Sequence, residues 1–422
     1  MEMGTSGIYK PKISQVCEMK QCNLCATSCP FWNQNLDEAV LAQKVFRGIF
    51  DQFADDSIGI YTNLYSGYVI DQEARFNSAS GGLATWLLIE LLEIKEVDYV
   101  ICVTSMSNSN AFFGFSVFSD VESLKKSSGS CYYPVHLADV IQYIRTNPGR
   151  YAITGLPCYI KALRLIMLRN RIFSERVKFL IGLVCGQTQS KYFVEYLFSM
   201  VGGNPKDLTQ IKFRLKDPDK SVNNFGVRFF TVQPGKTKDL FWNEGVKEAW
   251  LKGYFRPKAC DFCDDVFAEL ADVTFMDAWL PEFSNDSAGT NLVIVRSAKV
   301  EELFIRGRGK GVISIANVSP EKVKQSQRGV IHRKKELLAT RLALTKTKGY
   351  IPQKRVTKAC NVCLRTSINY WLTEWIRKTG GLIVNNRTDD LYGYLKQKTA
   401  IPEKVMRFYK KLEKIVLRKI KS

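Results

Sequence analysis

The chain has 422 residues, of which 45% are hydrophobic, and its net charge at pH 7 is +20. This composition is ordinary for a globular protein of two or three packed units, so it excludes a largely disordered chain. The start of the sequence lacks an apolar run of signal-peptide length. The longest uncharged stretch of the whole chain is interrupted by Ser and Asn. We therefore expect a cytoplasmic protein without a membrane span.

The positive charge is concentrated in one region. Residues 301–422 contain 29 Lys or Arg against 9 Asp or Glu, which accounts for the whole excess. We expect residues 1–300 to form an overall neutral part of the protein, and the basic C-terminal region to have a different function. No recognisable nucleic-acid-binding module accompanies the charge, so nucleic acid is not an expected partner.

The first feature in chain order is a group of cysteines spaced like those of bacterial ferredoxins. The expected run is C-x2-C-x2-C-x3-C-P, and Met19 stands where its first cysteine should be. Thiolates at this spacing wrap one face of an iron-sulfur cluster. We predict a ferredoxin-like segment over residues 1–36, whose candidate ligands are Cys17, Cys22, Cys25 and Cys29.

The fourth ligand of this segment stays open. Cys17 lies two residues from the expected position, but Cys360 or Cys363 could reach back instead. That distant pair could also bind zinc or be two unrelated thiols. The chain has twelve cysteines and only two histidines, so mixed Cys/His zinc sites are almost excluded.

Strands and helices alternate after this segment. The patterns predict helices at 37–53, 83–94, 135–144, 159–168 and 242–251, and strands within 59–71, 97–103, 151–155, 177–186, 211–232, 269–279 and 290–297. Several strands are apolar throughout, as strands buried in a parallel sheet are. We predict an α/β fold with a mixed, largely parallel sheet and helices on both faces. Amphipathic patterns predict a basic, mainly helical region over 301–422.

A phosphate-binding loop is predicted where the helix near Leu83 begins. Its glycines permit close backbone approach, and its hydroxyl groups can donate hydrogen bonds. A Ser-Gly-Gly run before a helix is usually only an N-cap, but this helix is apolar on nearly all sides. The candidate contacts are Ser78, Ser80, Gly81, Gly82 and Thr85.

Four segments, taken in order, resemble the coenzyme F420 hydrogenase/dehydrogenase beta-subunit family, a group of iron-sulfur flavoproteins. They are NSASGGLAT (77–85), TGLPCYIKALR (154–164), GLVCGQTQS (182–190) and RPKACDFCDDVFAELADVTFMDAW (256–279). The resemblance covers about the first 300 residues. It implies a flavin and iron-sulfur domain over 37–300 that binds FAD and a 4Fe-4S cluster, and exchange of electrons with the deazaflavin coenzyme F420.

The resemblance implies that the ligands of the core cluster are Cys158, Cys185, Cys260 and Cys263. The residues agree with this assignment, because two single thiolates at the ends of neighbouring strands and a C-x2-C loop supply four soft ligands. Structural zinc is the main alternative for the four cysteines. For each isolated cysteine, a second alternative is a small buried hydrophobic residue.

The resemblance also implies further flavin contacts. The family's flavin phosphate loop corresponds to SASGG (78–82), and GSCYY (129–133) resembles a loop near the cofactor, although Cys131 stands where lysine is common. The remaining candidate contacts are Gly129, Ser130, Thr154, Gly155 and Pro157.

Three charged side chains near these motifs have open roles. Asp277 matches a family aspartate, but Met276 precedes it where glycine is usual, so its role could be purely structural. Lys161 and Arg164 could contact an anionic cofactor or lie on a solvated helix face.

These features favour an FAD-dependent iron-sulfur oxidoreductase with one or two 4Fe-4S clusters, served by a redox partner such as ferredoxin or another oxidoreductase subunit. Hydride transfer through a flavin depends on how the flavin and the substrate are positioned rather than on a side chain that abstracts a proton, so we predict no catalytic acid or base. The acceptor is coenzyme F420 or another organic molecule.

The alternative is a noncatalytic, metal-stabilised accessory protein that docks on a membrane or a complex through its basic tail. Residues 401–420 predict an amphipathic helix with a basic flank. Such a helix suits an anionic membrane surface, an acidic partner or the chain's own core.

Overall fold

The computed structural model describes residues 1–12, 23–32, 36–48, 52–106, 111–127, 129–345, 352, 354–357, 359–360, 362–381 and 390–421. Cys17, Met19 and Cys22 lie outside these residues, so the predictions about them stay predictions.

The strands and helices are numbered in chain order. The strands are β1 Glu2–Met3, β2 Tyr9–Lys10, β3 Phe53–Asp55, β4 Gly59–Tyr61, β5 Asn63–Val69, β6 Tyr99–Ser105, β7 Phe113–Phe118, β8 Tyr151–Gly155, β9 Val177–Leu183, β10 Leu208–Leu215, β11 Gly226–Thr231, β12 Thr237–Phe241, β13 Val273–Asp277, β14 Asn291–Val295 and β15 Ile313–Asn317. The helices are α1 Leu24–Ser28, α2 Glu38–Val45, α3 Gln72–Asn77, α4 Leu83–Glu93, α5 Val121–Lys126, α6 Ala138–Thr146, α7 Pro157–Met167, α8 Arg171–Arg176, α9 Tyr192–Met200, α10 Val246–Lys252, α11 Ala298–Gly309, α12 Pro320–Ser326, α13 Arg328–Ile331, α14 Leu338–Leu344, α15 Leu364–Gly381 and α16 Leu391–Lys421.

A mixed sheet of eight strands forms the centre of the protein, in the order β15-β5-β14-β13-β9-β8-β6-β7. The four strands β13, β9, β8 and β6 run parallel to one another, and the flanking strands pair antiparallel. The predicted α/β fold with a mixed sheet is confirmed, and its parallel part is this central block.

Alternate residues of the central strands enter two apolar cores. In β8, Ala152 faces the core that contains α4 and α11, whereas Tyr151 and Ile153 face the core that contains α6 and α7. Burial on both faces explains why these strands are apolar throughout. The prediction of helices on both faces is confirmed.

A second, smaller sheet packs beside the first. Strands β10, β11 and β12 form an antiparallel sheet, which shares an apolar core with α9 and α10. Ile376 of α15 and Leu391 and Leu395 of α16 are buried in the same core. Much of the basic C-terminal region is therefore built into the protein rather than attached to its surface.

Two predicted elements are shorter than expected. The helix predicted over 37–53 ends at Val45: Phe46 caps it with non-helical dihedral angles, and Gly48, with a φ of +83°, turns the chain out of the right-handed helical region. The strand predicted within 269–279 begins at Val273, because Ala271 closes a turn onto the carbonyl of Ala268.

The edge strand β15 lies beyond residue 300, where we predicted the C-terminal region to begin, and it pairs with β5. In the part of the chain that the structure describes, no helix is long and apolar enough to cross a membrane.

Candidate functional site

The fold carries four cysteines from separate segments to the same end of the central sheet. Cys158 is the second residue of α7, directly after β8, and Cys185 follows the neighbouring strand β9. Cys260 lies in a short 3-10 turn, Lys258–Phe262, and Cys263 follows it. The amide of Cys185 donates to the carbonyl of Val266, which holds the end of β9 against the cysteine loop.

The four thiols lie within electrostatic reach of one another; Cys185 is buried, and Cys158, Cys260 and Cys263 are half-buried. Burial raises the pKa of Cys158 well above its usual range, and Cys263, Cys185 and Cys260 raise it further. Burial likewise raises the pKa of Cys185 to about 12. Thiols that raise one another's pKa are stable as thiolates only beside positive charge, from a metal or from cationic side chains.

Cationic side chains of the C-terminal region lie against these sulfurs. Lys334 donates from Nζ to the Sγ of Cys263 at 3.1 Å, and Arg333 donates to the carbonyl of Gly186, next to Cys185. Sequence reasoning missed both residues, because the run HRKKE (332–336) has no spacing that links it to the cysteines. Among the described residues, no group of three or more His, Cys, Asp or Glu is placed to hold a single metal ion.

The cysteine loop is fastened by buried ion pairs with the C-terminal region. Asp261 pairs with Arg377 at 2.7 Å, Asp264 with Lys354 at 3.0 Å, and Glu269 with Arg355 at 2.7 Å. Burial alone would raise the pKa of Glu269, but the hydrogen bonds and charge of Arg355 hold it below its ordinary value. Part of the basic excess of residues 301–422 thus neutralises acids around the cysteines.

The predicted phosphate loop lies between α3 and α4. Gly82 caps α4 with a φ of +87°, and a side chain at Gly81 would meet the backbone of Gly67 and Asn291. The need for both glycines therefore follows from packing against the sheet. The hydroxyl groups of Ser78 and Ser80 donate to backbone carbonyls, so the donors of the loop that can serve a ligand are mainly its backbone N–H groups.

Two cations that the sequence did not reveal lie against this loop. Arg214 donates to the carbonyl of Ala79 at 2.9 Å and pairs with Asp277, while its Nη1 is buried without a hydrogen-bond partner among the described residues. Lys216 donates to the carbonyls of Ser80 and Arg75. Arg214 has a φ of +62°, a strained conformation that clusters at functional sites.

The loop 129–133 lies beside both regions. Ser130 forms a β-bridge with Phe213, next to Arg214, and an added side chain at Gly129 would meet no atom within 4 Å. Burial raises the pKa of Tyr132 to about 12, and its electrostatic neighbours include Arg214 and Cys185. Tyr132 is therefore within electrostatic range of both the cysteine site and the cation beside the phosphate loop.

The other predicted contacts lie at the end of β8 and the start of α4. Thr154 donates to the carbonyl of Ile101 at 3.5 Å, Gly155 packs against Ile160, and Pro157 is the first residue of α7. Thr85 lies in the first turn of α4 and is half-buried.

Lys161 and Arg164 are not on a solvated helix face. Lys161 is buried and pairs with Glu38 at 3.1 Å, and Arg164 pairs with Asp272 at 3.0 Å. Both side chains join α7 to neighbouring segments, so their roles as observed are structural.

The described part of the N-terminal segment packs against α7, the helix that carries Cys158. Helix α1, which carries Cys25, contacts α7, and Lys354 lies over the ring of Phe31 at 5.4 Å. Cys25, Cys360 and Cys363 are exposed, and Cys29 is half-buried. The structure brings no ligand set together from these cysteines in the part of the chain that it describes.

Comparison with known proteins identifies the family. Residues 64–142 match the family model for the N-terminal part of the coenzyme F420 hydrogenase/dehydrogenase beta subunit, and residues 149–321 match the model for its C-terminal part. Together the two models cover more than half of the chain. No curated protein matches.

Fourteen chains of solved structures match this protein. One belongs to the xenon-derivatised F420-reducing NiFe hydrogenase complex from Methanosarcina barkeri, with a TM-score of 0.53 and 18% identity over 68% of this chain and 95% of that chain. At this identity the likeness shows a shared fold. With both family models matched in order along the central α/β unit, the chain belongs to the coenzyme F420 hydrogenase/dehydrogenase beta-subunit family.

Proposed function

We propose that the protein is an iron-sulfur flavoprotein oxidoreductase. Its core cluster would be held by Cys158, Cys185, Cys260 and Cys263, and FAD by the loops at 78–85, 129–130 and 154–157. When bound, FAD would take up electrons singly from a cluster and deliver them in pairs as a hydride to an organic acceptor. The observation that carries the proposal is the convergence of four buried or half-buried thiols beside cationic side chains.

The donor set suits an iron-sulfur cluster, and structural zinc is the alternative that the purified protein must exclude. A zinc site places four sulfurs about 2.3 Å from one ion. Each thiolate of a four-iron cluster binds a different iron, so its ligands spread around a larger body. The four thiols here come from three separate segments and lie within electrostatic reach of one another.

The residues near the phosphate loop fit an anionic cofactor. The unpartnered Nη1 of Arg214 is buried beside the loop, and the backbone N–H groups at the start of α4 add partial positive charge. The phosphates of FAD would satisfy both. Tyr132 packs edge-to-face with Phe213 and Trp250, and this aromatic group would help to exclude water from a bound cofactor.

The protein purified anaerobically tests this proposal. We expect flavin, iron and acid-labile sulfide in the wild type. Cys158→Ser should lose the iron of the core cluster, whereas Cys102→Ser, which changes a buried cysteine in β6 outside the four, should keep it. Colourless protein that carries zinc, or equal iron in both variants, would contradict the proposal.

The hydride acceptor and the electron-donating partner are proposed from the family membership. We propose that coenzyme F420 or another organic molecule accepts the hydride, and that a ferredoxin or another oxidoreductase subunit supplies electrons. The structural relative comes from a multi-subunit hydrogenase complex, which supports partner subunits for this chain. The donor can be identified by measuring how fast the bound flavin is reduced by reduced F420, reduced nicotinamide or reduced ferredoxin at the same protein concentration.

A second activity is favoured by the exposed face of α16. Five apolar residues recur along this helix at intervals of three and four and are 40–69% exposed: Ile401, Val405, Phe408, Leu412 and Ile415. Lys404, Arg407, Lys410 and Lys411 are exposed beside them. An apolar stripe with a basic flank matches an anionic membrane surface, whereas a second copy would bring two basic flanks together.

We therefore propose that α16 docks the protein on anionic lipid. Full-length protein should sediment with vesicles of phosphatidylcholine and phosphatidylglycerol, but not with phosphatidylcholine alone, and salt should weaken the binding. The double variant Phe408→Ser, Leu412→Ser should bind less, and Val232→Ser, which changes an exposed apolar residue after β11, should bind normally. Absence of vesicle binding would contradict lipid docking and favour an acidic protein partner.

A further inference from the structure

The segment from α13 to α14 extends beyond the matched family models, which end at residue 321, and it lies against the four-cysteine site. Between the two helices the chain makes one π-helical turn, His332–Glu336. Such turns occur frequently at functional sites because they re-aim side chains. This turn directs the side chain of Lys334 inward, where it is 1% exposed. The side chain of His332, two residues earlier, is exposed.

The contacts of Lys334 are unusual for a buried ammonium. Its Nζ donates to the Sγ of Cys263 at 3.1 Å and to the carbonyl of Asp265 at 2.6 Å. Neither the carboxylate of Asp265 nor that of Glu269 accepts a hydrogen bond from it among the described residues. A buried ammonium needs negative charge nearby, and the group in direct contact with Nζ that is able to supply it is the sulfur of Cys263.

The neighbouring cation strengthens this pattern. Arg333 is held by the carbonyl of Gly186, and its electrostatic neighbours include Cys185, Cys260 and Cys263. Two successive residues of one turn thus place positive charge beside three of the four cysteines. A neutral thiol is a poor acceptor, so this arrangement is complementary to thiolates that carry the negative charge of a bound metal centre.

We propose that Lys334 is a positioning residue that donates an N–H···S hydrogen bond to the Cys263 ligand and raises the reduction potential of the cluster. This inference rests on the proposed function. Adding one electron makes the cluster more negative by one charge, so a nearby ammonium and its hydrogen bond stabilise the reduced form more than the oxidised form. The electron comes from the external reductant and stays on the cluster.

The test is an anaerobic redox titration of the full-length protein, followed by electron paramagnetic resonance, with iron and sulfide measured on the same samples. Lys334→Met should keep its iron. At a fixed potential, its ratio of reduced to oxidised cluster should fall about tenfold, which is the size expected for the loss of one hydrogen bond to a charged group. For a one-electron couple, a tenfold change corresponds to a shift of the reduction potential by about 59 mV.

Two further variants separate tuning from folding. Lys334→Arg keeps a charged donor and should fall between the wild type and Lys334→Met. Lys335→Met removes the next cation of the same turn, which contacts Glu269 and the carbonyl of Asp56 but no sulfur, and should leave the potential unchanged.

The outcomes also separate this inference from the proposed function. An iron-loaded Lys334→Met protein with an unchanged potential overturns the inference and leaves the proposed function intact. Loss of iron from both Lys334 variants in folded protein shows a structural role and overturns it too. Wild-type protein without iron and sulfide overturns the proposed function, and the inference falls with it.

Discussion

At the scale of single residues, the protein shows how one motif can serve packing and chemistry together. The glycines of the 78–82 loop carry the resemblance to a flavin loop, yet their immediate neighbours are the backbones of β5 and β14. The cations beside the loop, Arg214 and Lys216, come from β10 and the residue that follows it. Ligand chemistry at this site therefore depends on side chains that are remote in sequence from the motif.

Replacing Gly81 tests the packing role. The Cβ of Gly81→Ala would lie 2.7 Å from the carbonyl oxygen of Gly67 and 2.8 Å from the amide of Asn291. Because both atoms are backbone, we expect the free energy of unfolding to fall by about 1–3 kcal/mol. Urea denaturation measures the change. Gly309→Ala, at the end of α11 with no atom within 4 Å, should be neutral or stabilise by up to about 1 kcal/mol.

At the scale of elements, α16 has two faces with different roles. Leu391 and Leu395 are buried against the small sheet, and Glu403 pairs with Lys252 at 2.8 Å. The stripe from Ile401 to Ile415 points away from this contact and is exposed. The amphipathic pattern alone does not separate the two faces, because both contain apolar residues at helical spacing.

The two faces should respond differently to truncation of a side chain. Leu395 is 1% exposed, so Leu395→Ala should lower the free energy of unfolding by about 2–5 kcal/mol. Phe408 is 64% exposed, so Phe408→Ala should change it by less than about 0.5 kcal/mol. Thermal denaturation of the full-length variants distinguishes them. Equal losses would show that both faces of α16 pack against the protein.

At the scale of the whole molecule, the C-terminal region closes the cysteine site. Its basic side chains pair with three acids of the loop that carries Cys260 and Cys263, and Lys334 reaches a sulfur. The uneven charge seen in the sequence therefore has two uses. Inside the protein it neutralises buried carboxylates, and outside it leaves the basic flank of α16.

A buried ion pair of this network should matter far more than a surface pair. Arg355 makes two hydrogen bonds to Glu269, whose side chain is 2% exposed, so Arg355→Met leaves this buried carboxylate with Lys335 beside it and should cost about 1.5–3 kcal/mol. Arg171→Met breaks an exposed pair with Glu175 and should leave the stability essentially unchanged. Anaerobic urea denaturation compares them. A small loss for Arg355→Met would show that water reaches Glu269.

The sequence by itself determined the α/β class, the family and the set of four cysteines. Strand and helix periodicity is local, and Cys158 and Cys185 follow consecutive parallel strands, whose carboxyl ends must meet at one edge. Only the tertiary structure decided which charges meet the site. Lys334 lies 71 positions from Cys263 and Arg214 lies 135 from Ala79, so no local pattern links them. These contacts form only when the C-terminal helices and the small sheet pack against the rest of the protein. That packing brings the cations next to the cysteines and the phosphate loop.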